Sequence, residues 1–177
     1  MARIELKRPN GPLCWFRIRR LYLEAFPPAE RKPFGRIRRM YRQGRADVWR
    51  VEEDGRFAGF ATTVNGDALV LLDYFAVERS RRGQGVGSAA MECMQKIYAD
   101  RGFFVEIEST LEPSPQREKR KRFYMAAGME PMEVHVRVFG VRMELLGSRC
   151  RLDFEQYRAF YSDHYSPWAA SHLEPDQ

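Results

Sequence analysis

The chain has 177 residues, 44% of them hydrophobic and 13% aromatic, enough for one globular domain with a sizeable core. Thirty basic against 24 acidic residues give a net charge of +6, which favours polyanions: nucleic acid, anionic lipid or a phosphorylated cofactor. Cys14, Cys93 and Cys150 are too few and too far apart for a disulfide framework or a metal cluster, no apolar run reaches the roughly 18 residues of a membrane helix, and MARIELKRPN holds no apolar signal core. A cytoplasmic protein with reduced thiols, no metal and no membrane partner is expected.

In chain order, ARIELK alternates as a strand, and residues 13–26 read as a helix ended by Pro27 and Pro28. Ile37, Met40 and Tyr41 lie on one side of a short second helix. DVWRVEE, RFAGFATTV and ALVLLDYFAV follow as antiparallel strands. Asp54-Gly55 and Asn65-Gly66 between them suit the positive φ of tight hairpin turns. Val86, Ala90, Cys93, Met94 and Ile97 recur at helical spacing, so a helix runs to about Asp100. FFVEIES is a strand with Val105 and Ile107 on one face and Phe104, Glu106 and Glu108 on the other. A helix from about Gln116 ends at Gly128. EVHVRVF, with His135 facing solvent, pairs with VRMELL beyond Gly140. Asp153 and Gln156 form a capping box for FEQYRAFYS, and the tail from Pro167 reads as loosely ordered. The basic runs at 31–39 and 117–122 read as solvated helix faces. The class is α/β (α+β), a mixed and mostly antiparallel sheet of about seven strands flanked by helices. It forms one domain over 1–165 with a tail at 166–177.

RRGQGVGSAA, residues 81–90, needs its own explanation. A phosphate-binding P-loop requires a Lys after its last glycine, and none follows Gly87. A dinucleotide turn requires a third glycine where Ser88 stands, and further βαβ units that do not follow. The remaining pattern is [QR]-x-x-G-x-[GA], met by Arg82, Gly85 and Gly87. It clears side chains so that successive N–H groups at a helix start can face a pyrophosphate. The bland reading is a turn that joins strand to helix.

YFAVERSRRGQGVGS and RFYMAAGM resemble segments of the GNAT superfamily of acyl-CoA N-acyltransferases, and the element order matches over roughly residues 1–146. AFPPAER and VEIES followed by QREKRKRFY are similar to a group of largely uncharacterised bacterial acetyltransferases. Met129 departs from the family's usual Phe by a volume-conserving swap. The resemblance implies acetyl-CoA as cosubstrate. Its pantetheine arm would lie against the backbone of Phe75, Ala76 and Val77, where the strand ending at Val77 splays from the strand at 103–109. Its pyrophosphate would lie against Arg82, Gly83, Gln84, Gly85, Val86, Gly87 and Ser88.

It also implies direct attack by an amine in a ternary complex. The Val77 N–H stabilises the oxyanion, Tyr124 protonates the departing thiolate, and Glu108, or else Asp73, takes the amine proton. Glu106 and Glu30, with Arg31 nearby, would border the acceptor. Each residue also has a structural reading: an ion pair of Glu108 with Arg117, Arg120 or Arg122, a packed aromatic at Tyr124, a capping or solvated pair at Glu30. Cys93, on an apolar stripe, is expected to be inert. The rivals are a non-catalytic acyl-CoA-binding sensor of the same fold and a basic nucleic-acid-binding protein. The acceptor amine stays open, as does the choice between monomer and homodimer.

Overall fold

The computed structural model describes residues 2–112 and 114–176. In chain order the elements are β1 (Ile4–Lys7), α1 (Gly11–Ala25), α2 (Phe34–Arg42), β2 (Ala46–Glu53), β3 (Arg56–Asn65), β4 (Leu69–Val77), α3 (Val86–Ile97) and β5 (Gly102–Glu108). There follow α4 (Pro115–Ala126), β6 (Glu130–Val138), β7 (Val141–Ser148), α5 (Phe154–His164), α6 (Pro167–Ala170) and β8 (Leu173–Pro175). The fold is mixed α/β, with a mostly antiparallel sheet in the order β1-β2-β3-β4-β5-β7-β6-β8. The chain divides into two compact units: residues up to Val64 with Leu72–Ile97, and Asn65–Leu71 with the residues from Tyr98 onwards. No helix among the described residues is long and apolar enough to cross a membrane.

In the first unit α1 buries Cys14, Ile18, Leu21 and Tyr22, the spacing of one helical face. That face packs with Ile37 of α2 on Val48, Phe60, Tyr74 and Ala76. Val86 and Ala90 of α3 pack instead on Val51 and Ala58. The β2–β3 register skips Ala58 beside Val51, so a bulge turns Ala58 toward α3 while Phe60, two residues on, faces α1. Asp54 and Gly55 take φ of 49° and 76°, the expected tight turn. Ile97, expected on the buried stripe of α3, is 42% exposed at the last position of the helix, while Met91 is buried there.

In the second unit β5, β7, β6 and β8 pair antiparallel. Phe104 packs edge-on against Tyr157 and Phe160 of α5, and the Asp153–Gln156 capping box forms as expected. Asn65-Gly66 does not make the expected turn: Gly66 lacks positive φ, and its N–H reaches Leu69 O at 2.8 Å. Space selects glycine here, since a Cβ would lie 2.8 Å from His164 Nε2.

The tail is not loosely ordered. The ring of Phe139, at the β6–β7 turn, stacks on His172 at 5.0 Å and meets Trp168 at 5.6 Å. Its N–H donates to His172 O. Leu173 then pairs with Val138, giving an eighth strand, and Asp176 accepts from Arg137 Nε and forms an ion pair with Arg142, each at 3.0 Å. His135, expected in solvent, is partly buried, and its Nδ1 has no hydrogen-bond partner among the described residues.

Candidate functional site

In the first unit β4 ends at Val77 and a 3₁₀ turn at Arg79–Arg81 leads into the glycine loop. Arg81 pairs with the buried Glu53, and Gln84 Nε2 donates to Ser80 O at 2.8 Å. Those two bonds tie the loop down, so Arg81 and Gln84 brace it. Gly83 and Gly85 take φ of 75° and 83°, a region that costs other residues about 1 kcal/mol or more, and a Cβ at either would meet only open space. The first helical bond of α3 runs from Ala89 N–H to Gly85 O at 3.0 Å. The N–H groups of Val86, Gly87 and Ser88 precede it and point out of the helix start, where the helix dipole is positive. This backbone can receive a pyrophosphate. Arg82 is exposed and its Nε donates to Val77 O at 2.9 Å, which fixes the arginine at the mouth of the loop but occupies a carbonyl expected to face pantetheine.

Gly59 carries no sequence signal, yet a Cβ there would collide with the Ala76 carbonyl. Its lack of a side chain lets β3 lie close beside the Ala76–Val77 backbone of its sheet neighbour β4. Asp73 accepts from Lys32 Nζ at 2.6 Å. Lys32 is held in turn by two tyrosines. Its N–H donates to Tyr74 OH at 3.1 Å, and its carbonyl accepts from Tyr22 OH at 2.9 Å. Tyr74 OH donates to Glu30 O, so the segment carrying Glu30 is tied through its backbone. Burial first, and then the Asp73 carboxylate, raise the Tyr74 pKa far above that of a free phenol, so it stays protonated.

In the second unit Glu108 is bonded by Arg120 at 3.1 Å and Arg117 at 3.4 Å. The expected rival reading of an ion pair therefore holds for these two, whereas Arg122 pairs with Glu118 on its own helix. Glu106 accepts from Tyr157 OH at 2.8 Å and Tyr161 OH at 3.0 Å, so both oxygens of this expected acceptor contact are taken by α5. Tyr124 is 7% exposed, and burial pushes its phenol up to about 12 against a smaller opposing effect of Arg120. A phenol so placed keeps its proton at neutral pH and has one to give. The basic run at 117–122 is not simply a solvated face: besides the Glu108 pairs, Lys121 Nζ donates to Glu144 at 2.6 Å. Glu144, 3% exposed, also accepts from the N–H and hydroxyl of Thr110. Burial raises its pKa, and Lys121 and Thr110 lower it by more, leaving it below the usual carboxylate range. Sequence spacing had no means of pairing Glu144 with a helix 23 residues away.

Residues 15–129 match the model of a family described as the Acetyltransferase (GNAT) family. No curated protein matches the chain significantly. Among solved structures, one of a Bacteroides thetaiotaomicron protein assigned to the GNAT family superposes with a TM-score of 0.75 at 20% identity, over 93% of this chain and 98% of that one. An aminoglycoside 6'-N-acetyltransferase complexed with coenzyme A gives 0.66 at 16% identity, over 85% and 99%. A Salmonella typhimurium acetyl transferase that modifies the N-terminal serine of a 50S ribosomal subunit protein gives 0.65 at 11%, over 82% and 94%. At these identities the likeness shows the fold.

Proposed function

Given that the chain belongs to the GNAT acetyltransferase family, we propose that it moves an acetyl group from acetyl-CoA to a primary amine by direct attack within a ternary complex. The observation that carries this reading is the braced loop, whose two glycines at positive φ and free helix-start N–H groups suit a pyrophosphate. Val77 is assigned the oxyanion through its N–H, and Tyr124 the proton for the thiolate. The amine proton goes to Asp73 in preference to Glu108. Both Glu108 oxygens already accept from guanidinium groups, which cannot deprotonate, whereas Asp73 accepts from a rotatable ammonium. Cys93 is assigned no covalent role, and the enzyme acts in the cytoplasm as monomer or homodimer.

A second reading, acyl-CoA binding without turnover, draws on one observation. Asp73, Glu106 and Glu108 each accept hydrogen bonds from other side chains.

The test is thermal unfolding with acetyl-CoA, with NAD and a short RNA as controls, followed by mass detection of acetylated products from a panel of amines. Acetyl-CoA at 100 times its Kd adds about 2.7 kcal/mol of stability. A shift with product formation supports transfer, and a shift without product supports the binding reading. A shift with NAD or RNA alone defeats both.

A further inference from the structure

We propose that the open groove between the second half of α1 and residues 28–34 holds an anionic group of the acceptor, so that the acceptor is a small amine carrying a carboxylate or a phosphate ester. This rests on the transfer reading above and names its substrate class.

Charge distribution points first to an anion. Residues 11–45 hold ten Lys and Arg against two Asp and Glu, while the whole chain is only +6. The rest of the protein is therefore slightly acidic, and the basicity is concentrated in one segment. An electropositive surface of this kind raises the local concentration of anionic ligands.

The groove within that segment has a volume of about 350 Å³, enough for an amino-acid-sized molecule. Arg19, Arg31 and Lys32 line it together with apolar Leu23 and Phe34, so one part suits an oxyanion and another a hydrocarbon chain. Arg31 Nε is shut off from solvent and has no hydrogen-bond partner among the described residues. A buried donor left unpaired is costly, and a guanidinium cannot escape the cost by losing its proton. An oxyanion in the groove would remove that cost by drawing the side chain out, its guanidinium fork then meeting a planar carboxylate or phosphate.

The groove is also pre-shaped. Both backbone groups of Lys32 are fixed, the N–H on Tyr74 and the carbonyl on Tyr22. Tyr22 is 1% exposed and Tyr74 6%, so the segment bearing Arg31 and Lys32 is anchored in the core before any ligand arrives.

Lys32 supplies the link to chemistry, because it lines the groove and its ammonium bonds Asp73. An anion in the groove competes with Asp73 for that ammonium. The carboxylate assigned as base is then released when the acceptor is in place. A polycationic acceptor finds no comparable welcome: Glu106 and Glu108 are occupied by tyrosine and arginine donors.

The experiment compares kcat/KM for amino acids and their carboxamides, and for O-phosphoethanolamine and ethanolamine, with spermidine as the polycation. The unfolding midpoint is read with the same probes in the absence of acetyl-CoA. The anionic member of each active pair is expected to be better by about tenfold or more, the value of a charge-assisted hydrogen bond. Arg31→Gln collapses the ratio and abolishes the midpoint shift, and Arg19→Gln, on the exposed helix surface, reduces both in part. Equal use of acid and amide, preference for spermidine, or a ratio unchanged in Arg31→Gln overturns the inference and leaves acetyl transfer standing. An Arg31-dependent midpoint shift with no acetylated product supports the groove and defeats the transfer reading. Neither shift nor product with any anionic probe overturns the inference.

Discussion

The two units hold their carboxylates in different ways. In the first, Asp73 meets an ammonium on a segment that borders an open groove. In the second, Glu108 is gripped by two guanidiniums of α4 and Glu106 by two hydroxyls of α5. The residue types are nearly the same, and the partners differ. A rotatable lysine can be drawn away by a competing anion, whereas a pair of arginines on one helix stays with its carboxylate. Proximity of an acid to a binding site therefore says little about basicity until its partners are known.

Replacing the two acids tests that contrast most directly. Asp73→Asn should lower kcat by about 10²- to 10⁴-fold, the range for loss of a general base, and Glu108→Gln by less than about tenfold. Steady-state kinetics at saturating acetyl-CoA decides this, and equal losses would break the comparison. Next, Tyr124→Phe should cut kcat by about 10²-fold while leaving the KM for acetyl-CoA nearly unchanged. A similar loss in both parameters would return Tyr124 to a packing role.

Stability offers smaller effects. Glu144→Ala removes the charged partner of the Lys121 ammonium, leaving it Thr110 Oγ1 at 3.2 Å, and the acceptor of two Thr110 donors. Since Lys121 is a quarter exposed, the cost should be about 2–3 kcal/mol in urea unfolding. The native Glu144 carboxyl lies below its ordinary value. Its contribution is therefore complete above the unfolded carboxylate pKa of about 4.3 and is lost as pH falls through the lower native value. Wild type and Glu144→Ala should converge in stability in strong acid, and a gap that persisted there would remove the ionic account. Finally, Gly85→Ala should cost about 1–2 kcal/mol for its positive φ and weaken acetyl-CoA binding. Calorimetry on the variant would expose a loop that acts only as a connector, since acetyl-CoA affinity would then be unaffected.

Much of the scaffold could be read directly. The helix read over residues 13–26, the Asp54-Gly55 turn, the Asp153–Gln156 box and the glycine loop all appear where their local signals put them. These signals act within a few residues, through side-chain period, φ preference and capping bonds. Asn65-Gly66 was misleading for the same reason: the dipeptide suits positive φ, but His164, almost a hundred positions later, makes space the deciding requirement. The tail looked loose because what orders it, the stacking of Phe139 on His172 and the pairing of Leu173 with Val138, joins distant residues.

By itself, then, the sequence determined the order of elements as far as α5, the glycine loop and the resemblance that points to acetyl-CoA, since each is written in contiguous residues. Only the tertiary structure decided which carboxylates are gripped by arginines and which meets a lysine beside a groove, and that Arg31 holds a buried donor without a hydrogen-bond partner among the described residues. Ion pairs and burial depend on which side chains the fold brings together, and residues tens of positions apart carry no local mark of that meeting.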